Sequence, residues 1–388
     1  MLETKAAPQL EAALSRPRSF MFGAVEALQR RTVTLDTAPP LGPLVAFTGT
    51  FQGNGFNTIF RPNLGSPTPL PNPPTGQNDN ILELNLTSET LSFSPPLGAV
   101  PNRGEVQPDV FLNGVPYLQT ISDVTDPSQP VGIHFEPGLW LNVPATSAPT
   151  EVTTLVRMAS IPHGTTIDAQ GTSQDISGAP TIPAVDITPS FIGGGAFRFP
   201  SQNAASNNTF RIPQDLSSFI TAGTITQAIL DDPNTVLRNA IAGQTITSTT
   251  IISISTNPAS PLFGGGAGNI AFLGGDPSAS RPNAQTTQMD AMFWIETVQH
   301  VIIVPPHEPG HGPVLLRPEA NGSIQELPEF IVDPPRPLQH PVRLTVTSTQ
   351  IQYSQRVILN FNGLLWPHVS VATLTPMGGV PVPPSVWQ

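Results

Sequence analysis

The 47 prolines of this 388-residue chain restrict its fold more than any other feature. An interior proline removes a helix N–H and costs the helix about 3 kcal/mol. With 32 glycines added, few stretches remain in which a regular helix could run. What is left is an all-β body with stiffened connections, and the local pattern agrees. Ile351, Tyr353, Val357, Leu359 and Phe361 recur at period two, with Gln352, Ser354, Arg356 and Asn360 among the residues between them, as in a strand buried on one face. Asn362-Gly363 then supplies a turn whose residues tolerate positive φ. Beyond it Pro367 suits a strand start or a bulge, and His368, Ser370, Ala372 and Leu374 share one face. That face presents one imidazole flanked by small side chains.

Similar grammar begins at Leu44. Residues 44–61 read as a strand pair or one long bent strand, in which Gly49, Gly53 and Gly55 mark a close backbone approach or a bulge. Residues 81–86 and 90–93 alternate as strands. Residues 110–121 are expected to form a hairpin across Asn113-Gly114, and residues 132–143 a strand pair broken at Pro137-Gly138. A further hairpin is expected across Pro162-His163-Gly164. Strands resume at 289–298 and 342–348. Between them, residues 172–285 are rich in Gly, Ser, Thr, Asn and Pro, with weak strands expected at 182–187 and 245–255 and short helices at 225–230 and 234–242. Short strands with turn signals about every ten residues indicate a meander, hence a barrel or sandwich. The expected organisation is a partly helical N-terminal arm over residues 1–40 and one β-barrel domain over 41–388, with insertions at about 172–285 and 299–341. The arm carries Phe20, Val25 and Leu28 as a short apolar stripe.

Charge and cysteine exclude several functions. Only 11% of residues are charged, the net charge is −11, and no basic run exceeds Arg30-Arg31, so a nucleic-acid partner has no electrostatic basis. Cysteine is absent, which removes disulfides, thiolate zinc and iron–sulfur clusters and leaves histidine, methionine or tyrosine as strong axial ligands. No run of 18 apolar residues and no signal-like apolar segment occurs. The expectation is a cytoplasmic protein with no membrane span, compatible with a homo-oligomer.

Several familiar spellings fail a physical test. Gly53-Asn-Gly55 leads to Pro62 rather than into a helix, so no helix N-terminus is offered to a dinucleotide. His307-Glu-Pro-Gly-His311 has the letters of a zinc protease, but Pro309-Gly310 prevents the helix that would align its histidines. The glycine-rich segment 263–275 lacks the Lys-Ser/Thr ending of a phosphate loop, and no Gly-x-Ser-x-Gly elbow occurs. Paired carboxylates are scarce. His134, His163 and His368 remain on or beside confident strands. A lone strand histidine is more often a satisfied structural residue, but the small residues beside His368 leave a ligand role open.

Taken in order, several segments resemble the nitrobindin family of haem-binding, calycin-type β-barrels. They are Gly49-Thr-Phe-Gln-Gly-Asn-Gly-Phe-Asn-Thr-Ile59, Leu91-Ser-Phe93, Asn113-Gly-Val-Pro-Tyr-Leu-Gln119, Ile133-His-Phe-Glu-Pro-Gly-Leu-Trp140, Pro162-His-Gly164, Ile351-Gln-Tyr353 and Trp366-Pro-His-Val-Ser-Val-Ala-Thr-Leu374. The resemblance covers about half of the chain. Ser160-Ile-Pro-His-Gly-Thr-Thr166 and Trp366-Pro-His368 are also similar to segments of longer haem-binding, peroxidase-like proteins.

The resemblance implies an antiparallel up-and-down barrel with long proline- and glycine-rich insertions, binding haem b. His368 would be the proximal iron ligand and His134 would match the family's middle-strand histidine, with Ser370 and Ala372 clearing space for the porphyrin edge. The implied activity is peroxidase- or peroxygenase-like oxidation of a small apolar or aromatic substrate with peroxide. His163 is the candidate distal acid–base group; Arg103 and Arg157 are candidates to stabilise negative charge or hold a propionate. The insertions are expected to roof the barrel mouth. Ferric-haem nitric oxide binding or peroxynitrite isomerisation is an alternative, as is a non-enzymatic carrier of a hydrophobic ligand with His368 merely structural.

Overall fold

The alternating segments form ten long strands in the computed structural model, which describes residues 38–387 apart from 64–69, 71–73, 75–78, 163, 259–264, 269–282 and 320–326. In chain order these are β1 (Gly49–Pro62), β2 (Asn80–Phe93), β3 (Val110–Asp123), β4 (Val131–Val143), β5 (Thr154–Ser160), β6 (Thr166–Ser177), β7 (Thr245–Ser255), β8 (Gln285–Val304), β9 (Val342–Phe361) and β10 (Leu364–Pro376). Each pairs antiparallel with the next, and β10 returns to β1 with Gly53 opposite Leu374 and Asn57 opposite Ser370. The result is a closed, up-and-down, ten-stranded barrel, one of the two architectures that the meander allows and the one that the resemblance implies. Closure removes the edges that an open sheet would expose.

Closure depends on small residues where β1 crosses its neighbours. A Cβ on Gly55 would lie 2.2 Å from the Val371 carbonyl oxygen and 2.8 Å from both the Ala372 Cβ and the Thr87 Oγ1, so β1 can approach β10 and β2 only because Gly55 has no side chain. At the β9–β10 turn Asn362 and Gly363 adopt φ of 49° and 76°, as a tight hairpin of this type requires.

Two expected breaks are absent. Asn113-Gly114 lies inside β3, where Gly114 lets the Trp140 carbonyl come close and Asn113 donates to the Pro39 carbonyl. Its glycine is thus used for a close approach and not for a turn. Pro137 lies inside β4, one residue beyond the last β4–β5 pair, Gly138 with Ala159, where that ladder asks no N–H of it. Residues 182–187 form no strand, whereas the two expected short helices appear as Gln227–Asp231 and Thr235–Ile241. β7 and the end of β6 fall within the stretch read as the first insertion. The expected N-terminal arm lies outside the described residues except for 38–40.

The part of that insertion between β6 and β7 does not roof the barrel. Residues 178–244 pack on its outer wall, where Ile182, Ile187, Leu216, Ile225, Ile229, Leu230 and Leu237 cover the outward-facing Phe56, Phe60, Leu82, Leu84, Trp294 and Val371. These apolar wall residues demand a cover, which explains why the segment lies there. The lower halves of β8 and β9 run on to carry a small sheet of Val314–Leu316, Glu329–Val332 and Gly379–Pro381 over Ile302, Val304, Phe330 and Val346. A 3-10 turn, Gly42–Ala46, brings Leu44 into the inner core at the end of the barrel where β1 begins. No helix among the described residues is long and apolar enough to cross a membrane.

Candidate functional site

Alternation sends every second residue of each strand into the barrel. Near the Gly42–Ala46 turn those residues are aromatic and apolar. Phe47 stacks on Phe93 at 4.6 Å, and Phe293 meets the Trp140 edge at 5.1 Å. Further along the same inner faces the lining becomes polar. It comprises Asn57 on β1, Asn85, Thr87 and Glu89 on β2, Tyr117 and Gln119 on β3, and His134 and Glu136 on β4. Arg157 on β5, Tyr353 and Gln355 on β9, and His368 and Ser370 on β10 complete it.

Three linked groups make up this lining. In the first, Glu136 is fully buried and accepts from Arg157 Nη2 at 2.5 Å, from the Tyr117 hydroxyl, and at its other oxygen lies 3.0 Å from His134 Nε2. Arg157, only 2% exposed, also donates through Nε to the Tyr117 oxygen at 2.8 Å and through Nη1 to the Gln355 amide oxygen at 2.7 Å. Its guanidinium carbon lies 5.3 Å from the Phe293 ring centre and 5.8 Å from that of Trp140. Burial alone would push the Glu136 carboxyl up, but Arg157, His134 and Tyr117 together outweigh it and hold the group at about 2.

In the second group Glu89 accepts from the Tyr353 hydroxyl at 2.6 Å, the Thr87 hydroxyl at 2.8 Å and the Gln119 amide at 3.3 Å. Among the described residues no cation pairs with it as Arg157 does with Glu136, and burial pushes this carboxyl up despite those donors. Two buried carboxyls of one lining are therefore driven in opposite directions by their surroundings.

The third group contains His368. Asn57 Nδ2 lies 2.8 Å from His368 Nε2 and donates to the Ser370 hydroxyl at 2.7 Å, while its Oδ1 accepts from Asn85 at 3.3 Å. With the amide nitrogen facing the imidazole and Ser370, Nε2 would accept and the ring proton would sit on Nδ1. An axial ligand needs that tautomer. The donor set thus suits a metal at Nε2, at the expense of one amide hydrogen bond, while Asn57 keeps Ser370 as a partner. Ala372, further down the same face, is fully buried against Gly55.

The other site residues read from the sequence are divided. His368, Ser370, Ala372, His134 and Arg157 all reach the inner wall. Arg103 does not: its side chain is 73% exposed and pairs with Asp109 at 2.5 Å, in the β2–β3 connection at the end of the barrel opposite the β9–β10 turn. His163 lies outside the described residues. His307 forms a bridge with Leu338, its ring centre 6.1 Å from that of His311, and no cluster of three metal-ligating side chains occurs among the described residues. Glu89, Glu136, Tyr117, Tyr353, Gln119 and Asn57 are central to the lining yet absent from the sequence candidates. A signal for them existed in β4, where Glu136 has the parity of Trp140.

No protein-family model and no curated protein sequence matches the chain. Among solved structures it has a similarity to Rv2717c from M. tuberculosis, with a TM-score of 0.33 and 11% identity over 88% of this chain and 100% of that one.

Proposed function

We propose that the barrel interior is a chamber for haem b, with His368 as the axial ligand, and that the protein oxidises a small apolar or aromatic substrate with peroxide. The observation that carries the reading is the place of His368 on the inner wall, its Nε2 2.8 Å from Asn57 Nδ2 and its strand neighbours on that face the small Ser370 and Ala372. Haem, when bound, would supply the redox chemistry with peroxide. The chain's own residues would do the rest. Asn57 would face the imidazole before haem binds and keep Ser370 as its partner afterwards. Glu89, whose carboxyl is pushed up by burial, and the partly exposed His134 would move a proton toward or away from the bound reactants. Arg157 donates to Glu136, Tyr117 and Gln355, so in this reading it keeps Glu136 ionised. The acid–base role expected of His163 stays part of the proposal.

Haem titration of the apoprotein, followed by its Soret band, tests the assignment. His368→Ala should abolish the axial-ligand signature. Asn57→Ala should preserve it and tighten binding by about fivefold, the equivalent of about 1 kcal/mol for a hydrogen bond no longer broken. An unchanged spectrum in His368→Ala would remove this residue as ligand. Turnover of a phenolic donor with peroxide, set against the decay of peroxynitrite, then separates peroxidase chemistry from isomerisation.

A further inference from the structure

The chain has only two tyrosines, and both lie inside the barrel. Tyr117 and Tyr353 come from different strands and are 5% and 2% exposed, yet each donates its phenol O–H to its own buried carboxyl, Tyr117 to Glu136 and Tyr353 to Glu89. Each oxygen also accepts from a second group, Arg157 Nε at 2.8 Å for Tyr117 and Gln119 Nε2 at 3.1 Å for Tyr353. Space is made for one of the rings, since a Cβ on Gly138 would lie 2.4 Å from the Tyr117 ring. Tyr353 stacks on Phe293, with ring centres 5.6 Å apart. Stability alone does not account for this arrangement, because desolvating a carboxylate costs several kcal/mol and apolar side chains of similar volume commonly do as well.

We propose that Tyr117 and Tyr353 are redox-active tyrosines. In each, a one-electron oxidant takes an electron from the phenol as the O–H bond breaks and the proton passes to the adjacent carboxylate. The products are a neutral phenoxyl radical, a carboxylic acid and the reduced oxidant. The oxidant is a high-potential one-electron acceptor, either a cofactor held in the chamber or an outer-sphere metal complex, so the proposal does not depend on haem. The second donor to each oxygen, Arg157 or Gln119, stays in place to hold the radical oxygen by a hydrogen bond. From Glu136 the proton has a next station 3.0 Å away in His134, whose side chain is 14% exposed.

Photogenerated tris(bipyridine)ruthenium(III) acting on the full-length apoprotein, followed by freeze-quench electron paramagnetic resonance, is the test. Since both tyrosines are in the barrel, ring-deuterated tyrosine reports on these two sites alone. The expected result is a radical whose hyperfine pattern changes on deuteration, which falls in each single Tyr→Phe variant and falls at least about tenfold in Tyr117→Phe/Tyr353→Phe. Glu89→Gln should remove the Tyr353 contribution and leave that of Tyr117. If Glu136→Gln fails to fold with Arg157 unpaired, fluorotyrosine in the wild-type chain serves in its place, and the radical yield should follow the altered phenol. A signal insensitive to tyrosine deuteration, meaning oxidation of tryptophan only, would overturn the proposal. So would a tyrosyl signal of full size in Glu89→Gln measured in the Tyr117→Phe background.

Discussion

At the scale of single residues, the pair Glu136 and Arg157 dominates the energetics of the barrel interior. Both are buried, at 0% and 2% exposure, so removing one leaves an uncompensated charge, which costs about 3–5 kcal/mol. Glu136→Gln should therefore lower stability by that amount in urea unfolding at neutral pH. The pH dependence has a definite sign. The folded carboxyl sits at about 2 against an ordinary 4.5, so its contribution is present above 4.5 and lost as pH falls through about 2. The stability gap between wild type and Glu136→Gln should be constant from pH 5 to 7 and shrink below pH 4. A gap that persists undiminished at pH 2 would mean that Glu136 owes its effect to shape and not to charge. The reading of paired carboxylates as scarce is true of the linear sequence. Glu89 and Glu136 are 47 positions apart, and only the antiparallel run of β2, β3 and β4 brings them into one lining.

At the scale of elements, the junction between β8 and the outer segment 178–244 contains a group with the opposite pH behaviour. Glu296 is inaccessible to solvent, and one oxygen accepts from Gln350 at 2.6 Å while the other has no hydrogen-bond partner. Gln350 in turn exchanges hydrogen bonds with Gln244, just beyond the Thr235–Ile241 helix. Burial raises this carboxyl to about 7, against the donation from Gln350. A raised folded value means stability that is full below 4.5 and lost as pH rises through about 7, on the order of 3 kcal/mol over the range. His300, on the same strand, is lowered to about 4 by burial; its contribution is present above 6.5 and lost as pH falls toward 4. Comparing wild type with Glu296→Gln cancels the His300 part. The variant should gain on wild type between pH 5 and 8, and an equal slope for both proteins would refute the assignment. The cover on the outer wall also explains what alternation could and could not reveal. In β2 the apolar residues Leu82 and Leu84 face outward under segment 178–244, whereas Leu91 and Phe93 face the interior. The apolar parity switches in mid-strand, so period two identifies the strand but not which face is inside. The β9–β10 hairpin, with its inner His368, Ser370 and Ala372, was legible because turn chemistry and alternation agree there.

At the scale of the whole molecule, the barrel is stabilised from both sides of its wall, and Trp366 joins the wall to its outer cover. Its ring stacks on Phe361 with centres 4.6 Å apart and 6° between planes, lies 5.3 Å from Phe199 in the cover, and packs at 5.2 Å on Phe60 of β1. The indole N–H donates to the Phe361 carbonyl at 2.9 Å. Phe199 belongs to segment 178–244, whereas Phe361 and Phe60 belong to barrel strands, so the stack ties three parts of the chain together through one side chain. Trp366→Ala removes all of these contacts and opens a cavity in a site that the barrel wall cannot collapse to fill, which costs about 3–5 kcal/mol. Because the cover consists of short helices and is joined to the barrel sheet by only two two-residue strands, Ser190–Phe191 on β10 and Arg211–Ile212 on β2, its attachment should weaken before the closed barrel opens. Limited proteolysis of Trp366→Ala should therefore cut first within residues 178–244, at a denaturant concentration where the barrel strands are still protected. Phe330→Ala supplies the control, since Phe330 belongs to the separate apolar cluster under the small sheet and should leave the protection of residues 178–244 unchanged. Cutting that begins in the barrel strands of Trp366→Ala would show that the cover and the barrel unfold as one unit and that the stack is no more than part of a common core.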